Sequence, residues 1–515
     1  MKSLLTFFLT LFVSLAFHPV FSKPVTKTSA SVVARNFMAR WGNPGNLKSG
    51  SKTNFVCQEF GKLQYATGTP SESPAFYIFN LDGSGYIIVS GDDRVPPVLA
   101  FSRDGHIDLD NIHDNIESFF RDYEKEINYI NKINLPPSAN VEGEWKKYLN
   151  DDFELKSAFV VDSVKPLTTT RWGYGTPYNN LCPYDASIPN SSIRRNKHCP
   201  AGCAAVAMAQ IMQYWAQVQL RKYWTQTQKW YTPLKGFGSN SYESFNYGIL
   251  SANFGATDYK WDIIPDDFDN NSTDAQKNAI ATLMFHCGIS LNMDYGPDVS
   301  GIYRYDPYTG RNTLEKALAT YFGYKNSMKA VVKSSYTDIT WVEMMKNEIA
   351  SGRPVIYDGV DEAKNSGHAF IIDGFKTINN TSYFSVNWGL YNDYGKGYFL
   401  INSMGFPPDY NFTSDACVLI GIEPGSIVKS ENIALSEPIR VWPNPATDRL
   451  QVDLNGAMLD CKEIDILNGL GVKIMSVPYS GKQLEIPLDR MASGMYFIRF
   501  NSREKYFTRK FMVKK

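Results

Sequence analysis

The fold of this chain is organised around residues 202–215, which read GCAAVAMAQIMQYW. Alanine, methionine and glutamine favour helix, and neither glycine nor proline interrupts the run after Cys203. Pro200 and Gly202 break the chain just before it, so the sequence predicts a helix that begins at Cys203. A thiol at a helix N-terminus has a lowered pKa, and the thiolate is the nucleophilic form. The alternative is a buried structural cysteine, which is the commoner fate of a free cysteine.

A histidine and an asparagine far downstream complete a pattern with Cys203. His368 lies in the run GHAFIIDG (367–374), and Asn387 lies near the end of YFSVNWG (383–389); both runs read as β-strands. The order cysteine, histidine, asparagine is that of a nucleophile, a general base and an amide that fixes the imidazole tautomer. A lone histidine in an apolar strand is more often a core residue, but the three elements together favour a catalytic site.

With these motifs the chain resembles the streptopain family of cysteine proteases. The resemblance implies a papain-like α+β catalytic domain that hydrolyses peptide bonds through an acyl-enzyme and requires no cofactor. Cys203 would attack the carbonyl, and His368 would protonate the leaving amine and then activate water. Further segments match the family pattern: 175–179, 291–296, 317–324 and 353–357.

The resemblance also implies roles for the residues around this pair. Asn387 would orient His368, and Trp388 would shield their hydrogen bond from water. The backbone N–H of Cys203 would donate one hydrogen bond to the oxyanion. The family places a glutamine as the second donor, where this chain has Tyr174. Loss of one such donor costs about 10²–10³ in kcat, so Tyr174 raises the question of how well the oxyanion is held.

Two other positions near the site are informative. Asp373 follows His368 by five positions, about 16 Å along a strand, which is too far to orient the ring and indicates a framework residue. After Gly389 the chain continues Leu390–Asn392 where the family usually has Trp-Gly-Gly, so the cleft and the substrate preference are expected to differ.

Composition and the N-terminus define the compartment. Lys+Arg and Asp+Glu balance at 52 each, which excludes the basic excess typical of nucleic-acid binding. Residues 1–22 read as a cleaved signal peptide, and no later run is apolar enough to span a membrane, so export without stable membrane insertion is expected.

Seven cysteines leave one unpaired whatever the pattern, at a density too low for a disulfide scaffold. His198 and Cys199 lack further ligands at metal-binding spacing, so no zinc site is predicted.

The N-terminal third resembles the streptopain propeptide. That resemblance implies an α+β prodomain that folds separately, covers the active site and is removed by cleavage within residues 150–168. Residues 76–80 and 85–90 predict a β-hairpin, and the charged helical run 111–134 is interpreted as a solvated face.

The last 78 residues change character and alternate short strands with turns, which predicts a small β-sandwich. Their Pro-Asn-Pro start and Lys-Phe-x-Val-Lys end resemble a type IX secretion sorting domain; a carbohydrate-binding or adhesive sandwich is the alternative. The chain is therefore expected at the outer-membrane surface or secreted, by way of the periplasm. The predicted order is signal peptide (1–22), inhibitory propeptide domain (23–165), papain-like catalytic domain (166–424), linker (425–437) and sorting domain (438–515).

Two functions follow from these patterns. The first is a secreted cysteine endopeptidase made as a zymogen, whose partners are protein or peptide substrates, its own propeptide and the type IX secretion machinery. The second is a catalytically impaired homologue that binds peptides or proteins at the cell surface, which the tyrosine at position 174 favours.

Overall fold

The computed structural model of the chain describes residues 24–41, 55–64, 72–82, 84–150, 160–189, 196–223, 236–302, 313–361, 366–391, 394–401, 404, 416–425, 440–453, 463–468, 473–479, 483–489, 491–501 and 506–515. Two compact units make up the chain, residues 1–425 and 426–515. The predicted signal peptide, the predicted linker beyond Gly425 and Cys461 lie outside the described residues.

The first unit begins with an antiparallel sheet and three helices. The bounds are α1 Lys27–Trp41, β1 Phe55–Phe60, β2 Phe76–Leu81, β3 Tyr86–Ser90, β4 Val98–Ser102, α2 Asp114–Lys132, α3 Ala139–Leu149 and β5 Val160–Val164. Strands β2 and β3 form the predicted hairpin, with Phe76 opposite Ser90.

Helix α2 is amphipathic and lies within the core. Its buried side chains recur at helical spacing, at Ile116, Phe119, Phe120, Tyr123, Ile127 and Ile130. Glu126 is buried beside them. The interpretation of residues 111–134 as a solvated face is therefore wrong for one side of α2. The charged residues occupy a minority of its positions, and the apolar side of the helix is buried.

The rest of the first unit holds the long cysteine helix and a second set of strands. The bounds are α4 Cys203–Tyr223, β6 Ser239–Ser244, β7 Gly248–Asn253, α5 Asp274–Ser290, α6 Leu314–Phe322, β8 Lys329–Val332, α7 Asp338–Ala350, β9 Val355–Asp361, β10 Ser366–Ile378, β11 Thr381–Asn387, β12 Gly397–Phe399 and β13 Cys417–Ile420. Helix α4 begins at Cys203, as the sequence predicts.

One sheet joins the N-terminal segment to the region that carries Cys203. Its strand order is β1-β2-β3-β4-β12-β11-β10-β9-β13-β8, and β5 also pairs with β10. The junction is the pairing of β12 with β4, which sets Tyr398 opposite Phe101. The N-terminal segment therefore shares a sheet with its neighbour instead of folding separately, because each region satisfies a strand edge of the other.

The strand alternation gives this sheet two different faces. Ala369 and Ile371 of β10 are buried in the core that contains α4. Phe370, Ile372 and Trp388 point into the other core, which contains α2 and α7. Neighbouring residues of β10 and β11 thus serve opposite sides of the sheet.

The second unit is a small β-sandwich. Strands β14 Arg440–Trp442, β15 Arg449–Asp453 and β18 Gln483–Pro487 form one sheet, and β16 Glu463–Asn468, β17 Lys473–Pro478, β19 Gly494–Asn501 and β20 Tyr506–Val513 form the other. Side chains from both sheets fill one core, among them Val452, Ile466 and Phe500. The predicted α+β class with a small C-terminal β-sandwich is confirmed.

Across the described ranges, the helices are all too short or too polar to cross a membrane. The same residues contain no cluster of histidine, cysteine and acidic side chains able to hold a metal ion.

Candidate active site

Cys203 lies where helix α4 meets strand β10. Its Sγ accepts a hydrogen bond from the Ala369 N–H at 3.4 Å. Gly202 has a φ of +87°, and a Cβ there would lie 2.7 Å from the Met293 Cε, so only glycine allows the chain to enter the helix at this point. Cys203 is partly exposed, whereas Cys287 on the neighbouring helix α5 is fully buried. The site therefore places a partly exposed cysteine, whose sulfur is itself desolvated, at a helix N-terminus.

The pKa of the Cys203 thiol is raised from its ordinary value, mainly because the sulfur is desolvated. The Ala369 N–H lowers the pKa, and the negative charge of Asp358 raises it. The main-chain N–H groups at the start of α4 also lower the pKa, but desolvation is the larger effect, so the net shift is opposite to the one predicted from the helix N-terminus. This direction favours the neutral thiol in this form.

His368 is adjacent to the residue that contacts the thiol, but it is not bonded to the sulfur. Its ring stacks on Trp388 with centroids 6.1 Å apart and planes 18° apart. Neither ring nitrogen forms a hydrogen bond with any described residue. Burial lowers the pKa of His368 well below its usual value, the neighbouring His113 adds to this, and the main chain of Trp388 opposes it. This direction favours the neutral imidazole.

Asn387 does not form a hydrogen bond with His368 in this structure. Its Nδ2 donates to the Thr170 carbonyl at 3.0 Å and to the Thr168 Oγ1 at 3.3 Å. Its Oδ1 accepts from the Gly389 N–H at 3.2 Å. Asn387 pairs with Ile371 across β10 and β11, so it shares the face of Ile371, whereas Trp388 faces His368. In this structure the residue against the imidazole ring is Trp388.

Tyr174 lies beside the start of the cysteine helix. Its carbonyl accepts from the Ala201 N–H at 2.8 Å, two residues before Cys203. Its hydroxyl is hydrogen-bonded to the Nε2 of His113, and the two ring centroids are 5.3 Å apart. The predicted oxyanion candidate is therefore near the thiol, with its hydroxyl engaged by the N-terminal segment.

His113 is the residue that sequence reasoning missed. It precedes α2, and its Nδ1 accepts from the Asn115 N–H, so it caps the helix. A polar residue immediately before an amphipathic helix is a capping pattern that the sequence does contain. What the sequence lacks is any indication that the other ring nitrogen would reach Tyr174, 61 positions away.

Helix α2 also packs against the aromatic rings that contact the His368 imidazole. The Phe119 ring lies 5.3 Å from Trp388 and 6.0 Å from Phe370. Ile116 packs so closely on Gly395 that a Cβ at Gly395 would lie 2.4 Å from it. The rings that support His368 are thus held by side chains of the N-terminal segment.

The remaining predicted positions are framework residues of the cleft. Tyr391 packs against Gly173, where a Cβ would lie 2.6 Å from the tyrosine ring. Asp373 is buried and accepts hydrogen bonds from Thr168. His198, considered as a metal ligand, is hydrogen-bonded to the Cys182 carbonyl.

Comparison with known proteins yields three family matches along the chain. Residues 172–399 match the model of the peptidase C10 family, 22–127 that of the Spi protease inhibitor, and 440–514 that of the secretion system C-terminal sorting domain. The last two confirm the inhibitor-like N-terminal segment and the type IX sorting domain. The sorting domain indicates export to the cell surface or the medium.

Individual relatives agree with these matches. Streptopain of Streptococcus pyogenes is 30% identical over 329 residues, which cover 64% of this chain and 74% of the relative. The thiol protease/hemagglutinin of Porphyromonas gingivalis is 27% identical over 422 residues, covering 78% of this chain and 42% of the relative. A solved structure of a Prevotella intermedia prointerpain A fragment is 27% identical, with a TM-score of 0.52, and the match covers 72% of this chain and 99% of that one.

Proposed function

The chain belongs to the peptidase C10 family, and we propose that it is a secreted cysteine endopeptidase made as a zymogen. Cys203 is the nucleophile, His368 is the general base and acid, and the N-terminal segment is an intramolecular inhibitor. Protein or peptide substrates enter after this segment has been removed, and the type IX machinery handles the sorting domain.

The observation that carries this proposal is the hydrogen bond from the Ala369 N–H to the Cys203 Sγ. It brings the thiol to the residue next to His368, and activation requires the start of β10 to turn the imidazole from Trp388 toward the sulfur. Proton transfer from Cys203 to His368 then gives a thiolate that attacks the substrate carbonyl. His368 returns the proton to the leaving amine, and water releases the acyl group.

Two features of the site in this form account for an inactive zymogen. Cys203 and His368 are both neutral, whereas a reactive pair needs a thiolate and an imidazolium. The Tyr174 hydroxyl, the proposed second oxyanion donor beside the Cys203 N–H, bonds to His113. Removal of the N-terminal segment frees this hydroxyl and readmits water around His368. Both changes favour catalysis.

A second candidate function is peptide or protein binding by an impaired enzyme. The observation that favours it is Tyr174, at the position where the family has glutamine. A tyrosine side chain is more rigid than a glutamine side chain, so its hydroxyl is harder to align with an oxyanion.

Hydrolysis of a denatured protein by the matured chain distinguishes the two functions. The protease proposal predicts cleavage that a thiol alkylator abolishes and that is absent in Cys203→Ala. Binding of the same substrate without cleavage, together with no labelling of Cys203 by a peptidyl epoxide, would support the binding function and reject the protease.

A further inference from the structure

The segment that ends beside Cys203 is fixed by buried polar groups. Thr168 donates from its N–H and its hydroxyl to the Asp373 Oδ2, at 3.0 and 2.6 Å. Thr170 accepts at its Oγ1 from the Gln210 Nε2 at 3.0 Å, and at its carbonyl from Lys396 at 3.2 Å. Four residues after Thr170 the segment reaches Tyr174. Its position relative to the thiol thus depends on this network.

Asn387 is the centre of the network. Its amide donates to both threonines and its Oδ1 accepts from Gly389, so it links the 168–170 segment to the loop after Trp388. The side chain is buried, with 3% of its surface exposed. A buried amide with three partners is held in one orientation, because each lost partner leaves a desolvated polar group.

Gln210 extends the network to the helix that carries the nucleophile. It lies seven residues after Cys203, two turns along the same face of α4, and it is fully buried. Thr170 thus receives a hydrogen bond from Gln210 at its hydroxyl and one from Asn387 at its carbonyl, so the 168–174 segment is tied to α4 by Gln210 and to the end of β11 by Asn387.

From this arrangement we propose that Asn387 is a positioning residue for the oxyanion side of the cleft, acting through Thr168 and Thr170, and that it does not act on the imidazole. The inference rests on the proposed protease function. It assigns the consecutive residues Asn387 and Trp388 to different tasks on opposite faces of the sheet: Asn387 positions the segment of Tyr174, and Trp388 supports His368.

The test compares Asn387→Ala with Trp388→Ala in the matured protein, by two measurements. The first is the kcat and KM of peptide hydrolysis. The second is the pH dependence of Cys203 alkylation by iodoacetamide, which reports the thiolate–imidazolium pair and does not use the oxyanion donors. Asn387→Ala is expected to lower kcat about 10- to 100-fold with little change in KM and an unchanged alkylation profile. Trp388→Ala is expected to shift the alkylation profile.

Thr170→Val provides a second route, because it removes the acceptor of Gln210 without touching Asn387, and it should reproduce the fall in kcat at an unchanged alkylation profile. If Asn387→Ala does not yield folded protein, Asn387→Asp replaces it, because the carboxylate keeps the acceptor for the Gly389 N–H and lacks the donor to Thr168 and Thr170. A shifted alkylation profile in Asn387→Ala would assign the residue to the imidazole, and wild-type kcat in both variants would remove the positioning role. Failure of the protease proposal is a different result, since the unmutated protein would then show no alkylator-sensitive cleavage.

Discussion

The hydroxyl of Tyr174 is hydrogen-bonded to the Nε2 of His113, and this bond joins the segment beside the nucleophile to the inhibitor-like segment. The same histidine lies close enough to His368 to lower the pKa of the buried imidazole whenever His113 itself is protonated. One residue of the N-terminal segment therefore acts on two groups of the proposed catalytic site. Latency in this account is an electrostatic and hydrogen-bonding effect as well as a steric one.

Replacing His113 by alanine should make the unprocessed protein more reactive. The variant frees the Tyr174 hydroxyl and removes a neighbour that lowers the pKa of His368, so Cys203 of the intact zymogen should be labelled several-fold faster by a peptidyl epoxide. His106→Ala is the matched control, because His106 is exposed and its ring packs on Tyr394. Equal labelling rates in both variants and the unmutated zymogen would show that His113 has no part in latency.

Truncation of Phe119 should destabilise the zymogen. This ring is 5% exposed and packs on Trp388, Phe370 and Phe399, so Phe119→Ala is expected to cost about 3–5 kcal/mol of unfolding free energy. Denaturant unfolding in a Cys203→Ala background, which prevents self-cleavage, measures the change. Val56→Ala, at a side chain that is 68% exposed, should leave stability within about 0.5 kcal/mol. A loss no greater than that of Val56→Ala would mean that α2 does not depend on this contact.

Buried His286 should make the protein less stable in acid. Burial lowers its pKa to about 4, whereas an unfolded histidine has a pKa of about 6.5, so between these values only the unfolded chain binds the proton. Proton binding to the unfolded state therefore lowers the unfolding free energy as the pH falls from about 6.5 toward 4, by about 3 kcal/mol in total. Above about pH 6.5 His286 causes no such loss. Comparing the unfolding free energies of His286→Gln and the unmutated chain at pH 7.5 and 4.5 isolates this term. The difference between pH values should shrink in the variant; an identical pH dependence would exclude the assignment.

Glu144 should have the opposite pH dependence. Its Oε1 accepts a hydrogen bond from Thr381 at 2.6 Å, and burial raises the pKa of the carboxyl to about 7. The unfolded carboxyl ionises near pH 4.3, whereas the native one stays protonated up to about pH 7. As the pH rises through this range, the native state therefore loses about 3 kcal/mol of stability relative to the unfolded state. Glu144→Gln should therefore stabilise the zymogen at pH 8 and change little at pH 4. A variant that is no more stable than the unmutated chain at pH 8 would contradict the assignment.

Much of the fold, including the position of Cys203 at the start of a helix, could be predicted from sequence, because it depends on local patterns. The helix that starts at Cys203 follows from helix formers after a Pro-Gly break, and the 76–90 hairpin from two apolar runs around a turn. The C-terminal sandwich follows from alternation in short strands in the same way.

The placement of Asn387 and Trp388 on different faces of the sheet could not be predicted, because it depends on the register of strand pairing. A shift of one residue in register exchanges the two faces, and the sequence does not specify the pairing of Asn387 with Ile371. The raised pKa of Cys203 was missed for a related reason. The helix dipole is a local property, whereas desolvation depends on the whole surroundings of the thiol.

The central claim, that Cys203 becomes a nucleophile activated by His368 once the N-terminal segment is removed, is tested most directly by mapping a peptidyl epoxide adduct on the matured protein by mass spectrometry. The account predicts one adduct, on Cys203, together with hydrolysis of a denatured protein; His368→Ala should lose both while remaining folded. Hydrolysis that persists in Cys203→Ala, or an adduct that forms equally well in His368→Ala, would contradict it.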